Sequence, residues 1–304
     1  MKDFIEISDF NTEQLSSLMA RAIADKELYR KGVLEPTLSR KCLAMVFEKP
    51  SLRTRVSFES AMVHLGGHAL YLTQADIGLG TREAVQDIAR VLGRMCDGIM
   101  ARTFSHDMVR QLALHASVPV INALTDHSHP CQAMADLMTA RERFGELEGR
   151  TLAFIGDGNN VARSLAWACA KFGMSFVLAS PKDFQLDQPF VDSLPAGSFR
   201  WTESPADAVA DADVIYTDTW VSMGQEDEKQ RRVKAFEGFQ INAELMKAAP
   251  GHSIVMHCLP AYRDYEITDE VFEAHAETIM EEAENRLHFQ RTLLAVLLGE
   301  GTLG

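Results

Sequence analysis

The chain has 304 residues, 46% of them hydrophobic and 24% charged, the composition of a globular protein long enough for about two domains. Its formal charge of −13 at pH 7 argues against nucleic acid or an anionic membrane as a partner, while leaving room for a local basic pocket that binds a small anion. No secretory leader stands at Met1–Ala20, Leu293–Leu298 is too short to span a bilayer, and the five scattered cysteines read as reduced thiols, so a cytoplasmic protein is expected.

Taken in order, Ser8 to about Arg30 predicts a helix with Asp9 or Thr12 near its cap and an apolar stripe of Leu15, Leu18, Met19 and Ile23. Short apolar runs then alternate with amphipathic segments. Strands are expected at Cys42–Phe47, Ala69–Leu72, Gly98–Ala101 and Pro119–Asn122, and helices at Ser51–Leu65, Glu83–Met95, Ser105–Ala116 and Pro130–Phe144. This βαβα pattern predicts an α/β fold with a parallel sheet flanked by helices and with ligands beyond the strand carboxyl ends. The polar, glycine-flanked stretch Phe144–Gly149 predicts a boundary between domain 1–145 and domain 146–283. A second alternation follows, with strands at Thr151–Ile155, Ser175–Leu178, Phe199–Thr202, Val214–Thr217 and Ser253–His257. Its helices are expected at Asn159–Phe172, Pro205–Ala210 and about Glu226–Phe236. A last helix, from about Glu284 to Leu298, is apolar nearly all round at its end and should be buried, though its sequence does not say against which domain.

The stretch Phe47–Glu59, FEKPSLRTRVSFE, carries the first chemistry. Pro50 disfavours helix at Lys49, so a helix begins at or just after Ser51, with Ser51 as its cap. The free N–H groups of its first turn, the hydroxyls of Ser51 and Thr54 and the guanidiniums of Arg53 and Arg55 make a pocket for a phosphate dianion. The plainer reading is a capped helix whose arginines are solvated or pair with Glu59. His129-Pro130-Cys131-Gln132 places Pro130 in a first helical turn, His129 at the helix mouth and Gln132 one turn in. There an imidazole and an amide could hold a carbonyl oxygen and an NH2 group, against plain capping as the alternative.

Gly156-Asp157-Gly158-Asn159-Asn160 resembles half of a dinucleotide fingerprint, but the third glycine is missing. A tight strand-to-helix turn capped by Asn159 explains the glycines, and the Asn160 amide could reach an amino-acid backbone. Asp218, at a strand end before a loop with Ser222, Met223 and Gly224, suits an ammonium ligand, or else a solvated helix start. His257-Cys258-Leu259-Pro260 ends the last strong strand, where Cys258 is either core filler or a functional thiol. A metal reading fails for want of further ligands at usable spacing. Glu282 to Arg286 is expected to open the last helix with acids at its first turn.

Together these segments, with Ala101-Arg102-Thr103-Phe104 and Glu284-Asn285-Arg286, resemble the ornithine-type carbamoyltransferases in family order over nearly the whole chain. The resemblance implies two α/β domains, with the C-terminal helix (residues 284–304) returning to a carbamoyl-phosphate domain 1–145, and an ornithine domain at 146–283. It implies transfer of the carbamoyl group of carbamoyl phosphate to the δ-amine of L-ornithine, giving citrulline and phosphate, without metal or organic cofactor. It further implies a homotrimer, or an assembly of trimers, with active sites between subunits, and a place in arginine biosynthesis or breakdown.

The implied site is equally specific. Ser51, Leu52, Arg53 and Thr54 would hold the phosphate, with Arg102 bridging phosphate and carbonyl oxygen and Arg286 assisting. His129 and Thr54 would bond the carbonyl oxygen and Gln132 the carbamoyl NH2, with Pro130 and Cys131 beside them. Asn160, Asp218, Ser222 and Met223 would bind ornithine, while Cys258 and Leu259 border its side-chain amine. Family members commonly carry Gln or His before a Leu-Gly pair in a loop that reaches a neighbouring subunit. Here Gly78 stands there, so that contact is not carried over. Aspartate, putrescine or N-acetylornithine as acceptor, a nicotinamide-dependent dehydrogenase, and a non-catalytic relative are the alternatives.

Overall fold

The computed structural model describes residues 2–78, 82–221 and 226–299. It divides into two compact units, Met1–Ala135 with Glu284–Gly304, and Asp136–Ala283. The division falls inside two continuous helices, Pro130–Phe144 and Ala276–Leu298.

The first unit holds a parallel sheet of β1 (Cys42–Phe47), β2 (His68–Thr73), β3 (Gly98–Arg102) and β4 (Val120–Leu124), in the order β2-β1-β3-β4. Leu43 to Val46 are wholly buried, as expected of a central parallel strand covered on both faces. Ala44, Val46, Ile99 and Ala101 form one core cluster with Ile88 and Ala89 of the helix Val85–Met95 and Val109 and Leu112 of the helix His106–His115. The order reverses between β1 and β3, where Phe47 pairs with Arg102. Their carboxyl ends therefore frame a switch-point crevice.

The last helix also belongs to this unit in its later part. Phe289 packs on Phe4 at 5.8 Å, Thr292 donates to Asp25 at 2.7 Å, and Leu293–Leu298 are buried. It begins at Ala276, not Glu284, so the acids at Glu282 and Glu284 lie in mid-helix and Arg286 is in its third turn. Acidic residues there mimic a helix start, but the preceding residues continue the helix without a break. The first helix runs Thr12–Arg30 and is capped by Asn11, whose side chain accepts from Gln14.

The second unit holds a five-stranded parallel sheet of β5 (Thr151–Ile155), β6 (Ser175–Ala179), β7 (Phe199–Thr202), β8 (Val214–Thr217) and β9 (Ile254–His257), in the order β7-β6-β5-β8-β9. Ala153, Ile155, Ile215 and Val255 are buried in a cluster that includes Trp220, Phe236 and Phe272. Here the reversal lies between β5 and β8. Ile155 pairs with Thr217, and Thr217 with His257. The next residue along each strand is thus brought to one edge: Gly156, Asp218 and Cys258. Short helices at Gln74–Ile77, Gln188–Ser193, Ala243–Met246 and Asp269–Ala274 were not visible in the sequence pattern, being too brief to show a helical period. No helix among the described residues is long and apolar enough to cross a membrane.

Candidate functional site

In the first unit the chain leaves β1, turns at Lys49-Pro50 and enters the helix Leu52–His64. Ser51 caps it: its Oγ accepts the Thr54 N–H at 3.3 Å and contacts Thr54 Oγ1 at 3.1 Å. The Thr54 hydroxyl is a junction, receiving Arg102 Nη1 at 3.3 Å and Arg286 Nη2 at 3.5 Å. Arg286 also donates to Gln132 Oε1 and, through Nε, to Gln290 at 3.0 Å, and Gln290 in turn donates to Ser57 at 2.6 Å. Thr54, Arg102, His129, Gln132 and Arg286 are all buried. His129 is the cap of the helix Pro130–Phe144, its carbonyl accepting from Gln132 and Ala133.

Four cations act on His129. Burial, and then the charges of Arg286, Arg102, Lys49 and Arg53, hold its imidazole well below the usual histidine range. The pocket therefore holds a neutral imidazole among fixed positive charges, which suits a polyanion and a carbonyl oxygen together. Lys49 is a further member, where the sequence pattern alone shows only a turn residue before Pro50. It is buried, lies 2.6 Å from Asp126 and 4.5 Å from the Phe104 ring centroid, and its ammonium is pulled down by burial. A lysine between a buried strand and an anion-binding turn was the available signal.

Not every expected residue faces this pocket. Arg55 pairs with Glu59 at 3.0 Å and lies over the Tyr71 ring at 4.0 Å, so of the two arginines in the turn this one takes the plain reading. Arg55 follows Thr54 on the helix and so points roughly a quarter-turn away from it. Leu52 is 75% exposed, which leaves its backbone as the part that serves the helix mouth. Cys131 is a core thiol, directed at the Asn122 carbonyl and pushed up to about 12 by burial. Gly78 is left-handed (φ 61°), and a Cβ there would meet Arg82 Cβ at 2.7 Å.

In the second unit Asp218 is the centre. Its Oδ2 accepts from the Asn159 amide at 2.8 Å and its Oδ1 from the Thr219 N–H at 2.7 Å. Asn159 also caps the helix Asn160–Lys171, its Oδ1 accepting from Val161 and Ala162, so one side chain starts the helix and aims the carboxylate. Asn160 occupies the first position of that helix. The Gly158 N–H is taken by the Phe184 carbonyl at 2.8 Å, and a Cβ on Gly158 would meet Leu186 N at 2.6 Å. Backbone fills the place where a dinucleotide pyrophosphate would approach.

Cys258 is partly exposed beside Asp218, and burial, then the charges of Asp218 and Glu282 and a hydrogen bond to Asp218, push its thiol well above the ordinary value. It is a neutral thiol at neutral pH. Leu259 is left-handed (φ 58°), and its N–H donates to His257 Nδ1 at 2.9 Å. Donor atoms of Asp218, His257 and Cys258 lie within 4.8 Å of one another, so the fold supplies the third ligand that sequence spacing hides. The imidazole is not available to a metal. Nδ1 accepts from Leu259, which leaves the hydrogen on Nε2, facing Glu266 Oε1 at 3.1 Å. Ser222 and Met223 lie outside the described residues.

Residues 2–142 match the family model for the aspartate/ornithine carbamoyltransferase carbamoyl-P binding domain, and residues 148–297 match that for the Asp/Orn binding domain. The chain belongs to the aspartate/ornithine carbamoyltransferase family. Among its relatives in that family, an ornithine carbamoyltransferase of Methanospirillum hungatei is 50% identical over 98% of this chain and 99% of its own. The anabolic ornithine carbamoyltransferase of Pyrococcus furiosus is 46% identical over 98% of this chain and 96% of its own. A solved structure of ornithine carbamoyltransferase from Pyrococcus furiosus superposes with a TM-score of 0.95 at 44% identity, covering 99% of this chain and 98% of that one. One from Thermus thermophilus gives 0.89 at 41% identity, covering 98% and 99%. The carbamoyltransferase family therefore accounts for both units and for the order of the motifs along them.

Proposed function

We propose that this chain is an ornithine carbamoyltransferase, transferring the carbamoyl group of carbamoyl phosphate to the δ-amine of L-ornithine and releasing citrulline and phosphate. The observation that carries the reading is the convergence of Arg102 and Arg286 on the Thr54 hydroxyl, with Arg286 also on Gln132, beside the buried His129 at a helix mouth. Its near full-length likeness to proteins of that name supports it.

In this reading the phosphate lies at the amino end of the helix Leu52–His64, held by Ser51, Arg53, Thr54 and the Leu52 backbone, with Arg102 and Arg286 beside it. His129 and Thr54 bond the carbonyl oxygen, and Gln132 the carbamoyl NH2, within the turn that Pro130 and Cys131 begin. Asn160, Asp218, Ser222 and Met223 bind ornithine, with Asp218 taking the cation and Cys258 and Leu259 bordering the amine. The δ-ammonium gives one proton to solvent, and the neutral amine attacks the carbonyl carbon, its nitrogen later giving a second proton to the departing phosphate. The resulting oxyanion is stabilised by the neutral His129 and the arginines, and the C–O bond to phosphate then breaks with the electron pair and a proton leaving on phosphate. Preorganised positive charge and orientation carry the rate.

A cytoplasmic location is part of the proposal, resting on five free cysteines and the absence of a membrane-length helix among the described residues. So are a homotrimeric assembly, resting on family resemblance, and a role in arginine biosynthesis, resting on the anabolic relative. Light scattering on the purified chain tests the trimer. The activity is tested by ureido-product formation from carbamoyl phosphate with L-ornithine, putrescine, N-acetylornithine and L-aspartate in parallel. Turnover dominated by ornithine is expected. Dominance of another acceptor overturns the ornithine assignment while keeping the carbamoyl-phosphate half.

A further inference from the structure

Behind the end of β9, three titratable side chains are buried together that the proposed reaction does not use. Tyr216 Oη lies 3.1 Å from Asp136 Oδ2 and 3.1 Å from Glu282 Oε1. The other Glu282 oxygen, Oε2, accepts the His257 backbone N–H at 2.8 Å. Asp136 is 1% exposed, and Tyr216 and Glu282 not at all.

Each of the two Tyr216 contacts needs a hydrogen. A phenol carries one, so it can serve only one of its two carboxyl neighbours. The second contact becomes a hydrogen bond when a carboxyl group supplies the hydrogen. Two ionised carboxylates sharing a buried site repel strongly, and one proton held between them removes that cost. Burial, and next the charge of Asp136, accordingly hold the Glu282 carboxyl well above the usual carboxylate range, against the opposing pull of the His257 N–H.

We propose that Glu282 is a positioning residue: its carboxyl pair with Asp136, closed by Tyr216 and holding one shared proton, grips the His257 backbone and so fixes where Cys258 presents its thiol to Asp218. The importance of that placement for the amine rests on the proposed function, but the placement itself does not. The titratable groups around the pair come from three further elements: Tyr216 from β8 with Asp218 beyond, Cys258 from the end of β9, and the buried Cys169, which the charge of Asp136 reaches, from the helix Asn160–Lys171. The His257 ring is engaged by Glu266. A glutamine at 282 reproduces a protonated acid, accepting from His257 through its oxygen and donating through its NH2, without titrating.

The test is alkylation of Cys258 by iodoacetamide in the substrate-free full chain, followed across pH by mass spectrometry of the Cys258 peptide. Glu282→Gln is expected to keep rate and pH profile within about twofold, whereas Glu282→Ala shifts the rate about tenfold, as loss of one buried hydrogen bond implies. With it the KM for ornithine rises while that for carbamoyl phosphate stays within about twofold. A glutamine variant as altered as the alanine one overturns the shared proton. An alanine variant with wild-type Cys258 reactivity overturns the positioning role. If Glu282→Ala does not fold, backbone amide exchange decides: His257 is expected to be protected in the wild type and in Glu282→Gln, and fast exchange in either overturns the proposal. Because alkylation and exchange need no substrate, they fail separately from the acceptor comparison, which alone tests the reaction.

Discussion

Arg286 and Gln132 lie 154 positions apart in the chain, yet the guanidinium Nη1 donates directly to the amide oxygen. The same guanidinium is held through Nε by Gln290, which Ser57 anchors, so its direction is set before any ligand arrives. A lysine has one donor centre and cannot reproduce this fork. Arg286→Lys is therefore expected to raise the KM for carbamoyl phosphate by about 10- to 100-fold, the loss of one to two charge-assisted hydrogen bonds. Steady-state kinetics at saturating ornithine measure it. An unchanged KM would mean that Arg286 only braces the fold.

His129 is buried among cations that keep its proton off. The substrate-free protein should show neutral-imidazole nitrogen shifts for His129 by NMR from about pH 6 to pH 8, since its folded value lies well below the ordinary one near 6.5. An imidazolium signal in that range would remove the neutral donor from the mechanism. His129→Asn is expected to lower kcat by about 100-fold or more, the loss of one oxyanion donor.

What could be read from the sequence divides by how far apart the partners lie. Ser51 capping Thr54 and His129 standing before Pro130 are contiguous arrangements, dictated by local backbone rules and visible in the residues themselves. Parallel strands were legible because Leu43–Val46 or Leu152–Ile155 are apolar without interruption. By contrast, the Asn159 bond to Asp218, the inward turn of Lys49 and the pairing of Asp136 with Glu282 depend on register between distant strands and helices. No local spacing encodes them. The start of the last helix is hidden for a related reason: glutamates at 281, 282 and 284 resemble a first turn, while the helix runs unbroken from Ala276.

Gly158 tests the reading of its turn as structural. Its N–H is bonded to Phe184, and an added Cβ would meet Gln185 C at 2.7 Å and Leu186 N at 2.6 Å, all backbone that cannot swing aside. Gly158→Ala is expected to cost about 1–3 kcal/mol by overpacking, with a lowered Tm. The protein should also show no binding of a nicotinamide dinucleotide in calorimetry, either as wild type or as the variant. A stable alanine variant would show that the loop Phe184–Leu186 yields more readily than its packing implies.

His288 gives the acid response a specific source. Its ring is fully buried with Nε2 at 2.9 Å from Glu284, and burial, outweighing Glu284, pulls it down to about 4 from 6.5. Above about pH 6.5 the imidazole is unprotonated in both folded and unfolded chains, and its titration costs nothing. As pH falls below that value the unfolded chain takes up the proton first, so stability drops steadily until about pH 4, where the folded protein binds it too. The loss from this one group is on the order of 1–3 kcal/mol. Urea unfolding midpoints measured from pH 7 to pH 4.5 should fall in the wild type and fall less steeply in His288→Gln, which keeps a hydrogen-bonding side chain without titrating. Parallel pH dependences in the two proteins would assign the acid sensitivity elsewhere.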